Sequence, residues 1–277
     1  MTRHRCLHKL LTFGFLWLVV TAVPAAEPQY TLGVVPQNDA GVLHTVWEPI
    51  AAEIRRRSGI DLRIVSTRSI GAFEREFEAG AYDFAYLNPY HALVALRLQG
   101  YLPLVRDTAA PLTGVIVARQ DSPLHGATDL AGQRVAFPSP NAFGAALVPR
   151  ADLARRGIEI TPWYVGTHGS VYLNVALGLA PAGGGILRTL EGQPLEVRQA
   201  LRVIYETPPM PTHPIVAHPR VGEAVRTRLT QALLALGQSE RGRRLLAAIP
   251  IEHIGPATAA EYKALESLGL DDFYVRD

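Results

Sequence analysis

The chain has 277 residues, 48% of them hydrophobic and 19% charged, which is ordinary globular composition with length for two modest domains or one large one. Its 27 basic and 25 acidic residues nearly cancel, and no basic run is interleaved with aromatics, so nucleic acid is excluded from the expected partners. Cys6 is the single cysteine, which leaves the rest of the chain without a disulfide, a thiolate nucleophile or a cysteine metal ligand.

The N-terminus reads as a secretory signal peptide. Arg3, Arg5 and Lys9 form a basic start, Leu10 to Val23 an apolar run too short for a stable membrane span, and Val23-Pro24-Ala25 a small-residue cleavage site, with the cut after Ala25 or Ala26. Removing residues 1–26 takes those basic residues and no acidic one, so 27 against 25 becomes 24 against 25 and the exported chain is close to neutral. An exported core of this size is stable without disulfides.

The chain then alternates between strand and helix patterns. Tyr30 to Val35 reads as a strand ended by Pro36, and Pro36 to Gly41 as a polar turn. From Val42 the apolar residues Leu43, Val46, Trp47, Ile50 and Ile54 recur at helical spacing, with a kink expected at Pro49. Asp61 to Ser66 is a strand, Ile70 to Ala79 a helix, Phe84 to Leu87 a strand, and Asn88-Pro89 opens a helix that runs to about Leu98. Leu102 to Val105 is the next strand. This β-α-β-α-β-α-β order predicts an α/β layer fold with a mostly parallel sheet, whose ligands lie beyond the carboxyl ends of the strands. Those ends carry Gln37 and Asn38, then Tyr90 and His91.

A second unit begins near Leu112. Thr113 to Ala118 and Arg134 to Phe137 read as strands, and the stretch Val135 to Pro149 is the centre of the reading. It passes from a buried strand through a Pro138–Pro140 turn into a helix expected from Asn141 to about Arg156. Asn141 is the expected N-cap, and the free amides around Ala142, Phe143 and Gly144 make a concave patch suited to an anion or a polar head group. Trp163 to Val165 is a strand, followed by a turn with His168 and a helix from Val171 to Leu177. Ala182 to Ile186 is read as permissive backbone leading to a short helix, and Leu201 to Tyr205 as a strand ending at Glu206. The loop from Glu206 to Pro214 is a stiff, proline-rich connection. Ile215 to Ala217 is a short strand, and helices are expected over 220–236, 239–248 and 259–268.

The ordered landmarks Gly33-Val34-Val35-Pro36, Trp47-Glu48-Pro49, Gly80-Ala81-Tyr82-Asp83, Asn88-Pro89-Tyr90-His91-Ala92, Asp129-Leu130-Ala131-Gly132, Phe137, Gly144, Gly157-Ile158 and Gly166-Thr167-His168 resemble those of the PhnD-like phosphate, phosphite and phosphonate-binding proteins of bacterial ABC importers. The resemblance covers nearly the whole exported chain. It implies the type II periplasmic binding protein fold, with two α/β lobes joined by two hinge strands. Lobe 1 is then residues 27–110 and 215–277, and lobe 2 is residues 111–214. It also implies a periplasmic, monomeric, non-enzymatic receptor that holds a small molecule in the interlobe cleft and passes it to a membrane transporter, with no cofactor and no metal.

In that family a tyrosine, a Ser-Thr-Ser-Gly turn at a helix tip, a histidine and an acidic residue hold the ligand oxygens. By resemblance Tyr90 supplies the tyrosine and His168 the histidine. The turn reads Asn141-Ala142-Phe143-Gly144, so an amide, a methyl and a phenyl ring stand where hydroxyls are usual. Ala180-Pro181-Ala182 lacks the usual carboxylate, and Glu206 is the acidic candidate. His91, Gln37 and Asn38 complete the expected ligand-binding set. Two ligand readings stay open: a phosphonate-like oxyanion, or a less polar molecule such as an amphipathic lipid or sterol serving another envelope transporter or a sensor kinase. His168 and Ser170 are too close in sequence to suggest a catalytic pair.

Overall fold

The computed structural model describes residues 28–37, 40–249 and 251–276. The expected signal peptide and Asn38 lie outside the described residues. The first sheet collects β1 (Gln29–Val34), β2 (Asp61–Val65), β3 (Phe84–Tyr86) and β4 (Leu102–Asp107), linked by α1 (Ala40–Ser58), α2 (Ile70–Glu78) and α3 (Pro89–Gln99). Ser69 caps α2, and Asn88 caps α3 with Pro89 in its first turn, as residue type predicts. α1 runs through Pro49 without ending.

The chain then crosses into a second sheet: β5 (Gly114–Arg119), β6 (Arg134–Phe137), β7 (Thr161–Tyr164), β8 (Ala182–Ile186) and β9 (Leu201–Glu206), with α4 (Val148–Arg155), α5 (His168–Ala176), α6 (Leu187–Glu191) and α7 (Leu195–Ala200) between them. It crosses back into β10 (Pro214–Ala217) and finishes with α8 (Glu223–Gly237), α9 (Glu240–Ala247), β11 (Ile254–Pro256) and α10 (Ala259–Lys263). The strand orders are β11-β4-β10-β3-β1-β2 and β7-β6-β8-β5-β9. β2-β1-β3 and β7-β6-β8 are parallel. β10 and β5, the strands that follow a crossing, run antiparallel to both neighbours. The two crossings touch through an antiparallel bridge between Leu112 and Met210.

Four elements depart from the sequence reading. Ala182 to Ile186 is a central strand, not a permissive turn, because helices pack directly on its glycines. A Cβ at Gly183 would meet Val171, one at Gly185 the Tyr172 ring, and one at Gly184 the carbonyl of Ala145. The sequence therefore gives that strand no apolar alternation to read. α7 and β11 are short elements held by tertiary contacts, and periodicity did not show them. The helix expected from Asn141 begins at Phe143, as a π-type turn over Phe143–Leu147 that continues into α4.

One apolar core fills the first unit and continues across the crossing through Phe143, Leu147, Val148 and Ala151, while two smaller cores line the faces of the second sheet.

Candidate functional site

The carboxyl ends of β1, β3, β6, β7 and β8 converge between the two sheets. A pocket of about 20 Å³ there is lined by Gln37, Asn88, Ala142, Phe143, Gly144, His168 and His213, among others. That is room for about one water molecule. The helix tip reaches this position because Gly114 and Gly144 pass backbone against backbone: a Cβ on Gly114 would run into the Gly144 carbonyl. Of the residues the sequence singled out, Gln37, Ala142, Phe143, Gly144 and His168 line this pocket. Asn88 and His213 were not singled out, though an N-cap asparagine just after a strand end is a usable signal for the former.

His168 begins α5 behind the N-cap Thr167, whose hydroxyl accepts from the Ser170 amide at 3.1 Å. It is 9% exposed, and burial pushes its imidazole down to about 4. His213 lies 2.9 Å from the Gln37 amide nitrogen and is lowered to about 3, by burial first and then by the neighbouring His168 and His91. Both rings are therefore neutral near pH 7 and can supply one donor and one acceptor each.

Four expected site residues stand elsewhere. Tyr90 donates to Asp271 at 2.7 Å and lies parallel to Phe143, with ring centroids 6.5 Å apart. His91 is fully buried, with Nε2 2.8 Å from Glu74. Asn141 does not cap the helix. Its side-chain nitrogen donates to both Glu74 oxygens at 3.0 Å and to the Val275 carbonyl at 2.6 Å, and its oxygen accepts from the Val275 amide at 2.9 Å. Short polar side chains at turns bond wherever a partner is presented, and here the partner lies on α2 rather than on the next turn. Glu206 is exposed at the end of β9 and lines neither cavity described here.

A second cavity, of about 340 Å³, opens beside the crossings and shares Gln37, Ile186 and His213 with the first. Arg188 reaches over it from α6 to Asp107 at the end of β4, 2.8 Å away. Asp107 also accepts from the amides of Ala109, Glu252 and His253, so this carboxylate ties the first crossing, the segment before β11 and α6 together, while its backbone carbonyl accepts from the Thr212 hydroxyl of the second crossing. Tyr86 lines the same cavity. Among the described residues no group of three or more His, Cys, Asp or Glu side chains is placed to hold a metal ion.

Two sheets of alternating β and α elements, joined by paired crossings with cavities at the strand ends between them, define the two-lobed periplasmic binding protein fold. The chain belongs to the family described as "ABC transporter, phosphonate, periplasmic substrate-binding protein", whose model matches residues 32–262. A curated relative, the phosphate-import protein PhnD of Mycolicibacterium smegmatis, is 24% identical over 172 residues, 55% of this chain and 53% of the relative. The match thus spans about half the length of that protein.

Among solved structures, the binding protein component of a Pseudomonas aeruginosa ABC phosphonate transporter superposes with a TM-score of 0.78 at 16% identity, covering 87% of this chain and 85% of the other. PhnD1 of Prochlorococcus marinus, solved in complex with methylphosphonate, gives 0.77 at 18% identity, covering 87% and 97%. At these identities the superpositions speak for the fold.

Proposed function

We propose that this protein is a periplasmic receptor that closes two lobes, residues 27–110 with 215–277 and residues 111–214, on a small solute and presents it to an ABC transporter. The carrying observation is the pocket at the strand ends, whose walls come from both sheets and from the second crossing. Such a pocket is made and unmade by motion about the crossings, which is how a receptor of this kind couples binding to a change of shape. The first ligand class to test is a phosphonate-like oxyanion, which the helix-tip amides around Phe143 and Gly144 suit. The family description and the methylphosphonate complex of the structural neighbour support it. At about 20 Å³ the pocket is shut, so the lobes open to admit such an ion.

Thermal unfolding of the purified protein with methylphosphonate, phosphite and phosphate tests this reading. A ligand that binds only the folded state raises stability by RT ln(1 + [L]/Kd). Concentration-dependent stabilisation by one of these ions supports the oxyanion reading, and none from any of them removes it.

The less polar ligand is favoured by one observation. Phe143, 2% exposed, stacks on Tyr90 where hydroxyls are usual in the family. Stabilisation by an amphipathic lipid, with no response to the oxyanions, is the outcome that selects it.

A further inference from the structure

The cavity beside the crossings has a composition that the helix-tip pocket lacks. Its volume, about 340 Å³, is within the range of small-molecule sites. Asp107, Glu191 and Glu252 line it against a single guanidinium, Arg188. Asp107 is already satisfied by three backbone amides and by Nη1 of Arg188. The other edge of that guanidinium is held loosely: Nη2 is 3.7 Å from Glu252, and the Arg188 side chain is 41% exposed. Glu191 follows Arg188 on α6 at the spacing that puts two side chains on one helical face.

Tyr86 adds an independent sign. The residue is only 4% exposed, and it lines the cavity. The hydroxyl is not sealed in protein but opens on the cavity, where it is available as a donor to a guest. Burial, and then the charge of Asp107, push its ionisation up, so it is a donor at any ordinary pH. A planar carboxylate fits this pair of groups, taking one hydrogen bond from the free edge of Arg188 and one from Tyr86. A doubly charged anion does not fit, because the lining already carries more negative than positive charge. An amine on the same molecule offsets Glu191 and Glu252.

We propose that the cavity beside the crossings is a binding compartment for a small zwitterion that joins an amine to a carboxylate, with Arg188 and Tyr86 holding the acid and Glu191 and Glu252 the amine. The proposal rests on the receptor reading above, and it places a ligand on residues other than those of the helix tip.

Thermal unfolding and calorimetric titration of the purified protein test it with L-leucine and L-phenylalanine. Their amine-free acids, isocaproate and hydrocinnamate, their acid-free amines, isoamylamine and phenethylamine, and methylphosphonate complete the probes. At least one amino acid is expected to bind, with each of its halves about tenfold or more weaker, since each half forfeits one charge-assisted contact. Tyr86→Phe and the double variant Glu191→Gln/Glu252→Gln are each expected to weaken the amino acid about tenfold. Arg188→Lys keeps the charge opposite Asp107 and loses the fork, and it does the same.

Equal binding of the isolated halves, or unchanged affinity in all of these folded variants, overturns the proposal. A response to methylphosphonate with none to either amino acid overturns it and leaves the receptor reading standing. Silence toward every probe here overturns this proposal, and the receptor reading is then decided by phosphite, phosphate and an amphipathic lipid.

Discussion

Asn141 donates from its side-chain nitrogen to both carboxylate oxygens of Glu74, 3.0 Å away, so the turn ahead of the π-type helix of the second sheet is fastened to α2 of the first. Both residues are buried, at 3% and 6% exposure. His91 holds the other side of Glu74, and the Val275 backbone closes the amide of Asn141. A polar link of this kind is strong only while every member is paired.

Asn141→Ala removes the donor from a buried carboxylate. The expected cost is roughly 1.5–3 kcal/mol, as for hydrogen bonds to charged groups. Urea unfolding measures it, and small-angle scattering should show a more open particle. A variant as stable and as compact as the parent would mean that the link does not hold the lobes together.

Phe143→Ser restores a hydroxyl to the helix tip and removes the ring that lies on Tyr90. Large-to-small changes at buried phenylalanine cost about 3–5 kcal/mol, so the melting temperature should fall. The same change empties space beside Gly144, and calorimetry should find methylphosphonate binding tighter than in the parent. Weaker binding, or none gained, would place the ring outside the path of the ligand.

Gly114→Ala tests what sets the helix tip in place. The added methyl would collide with the Gly144 carbonyl, and backbone on backbone has no side chain to yield. Overpacking here should cost about 3 kcal/mol or more. Near-parental stability in urea would show that the contact relaxes.

Stability should fall on mild acidification. His168 is lowered from 6.5 to about 4 by burial, so the unfolded chain binds its proton first. The stabilisation is complete above about pH 6.5 and is lost as pH falls from there toward 4, by roughly 1.4 kcal/mol per unit for each such histidine. His213, lowered to about 3, adds to the slope. Glu53 is held down to about 2, chiefly by the Arg56 hydrogen bond and against its own burial, so its loss comes only at lower pH. Urea midpoints between pH 7 and 4 give the slope, and His168→Asn should flatten it. An unchanged slope would mean that His168 is solvated.

Most of the order of strands and helices, the class of fold and the strand-end position of the pocket were legible in residue order. Alternation, helical spacing and caps such as Asn88 are local, and a strand feeding a helix leaves its free amides in a known place. Gln37 and the Ala142-Phe143-Gly144 tip were singled out on those grounds and His168 by family resemblance, and all of them line the pocket. The glycines of β8 could not be read as a strand, because their reason is the helices that lie against them.

What tertiary structure alone decided is which partner each polar group meets. Asn141 has the chemistry of a cap, yet it reaches Glu74 and Val275, far away in sequence. Tyr90 and His91 have the chemistry of ligand donors, yet Asp271 and Glu74 claim them. Arg188, Asp107 and Tyr86 come from three separate elements on the two sheets and share one cavity only because the chain crosses between those sheets. Sequence fixes the hydrogen-bonding capacity of a side chain, but its partner is chosen by packing among residues that no local pattern connects.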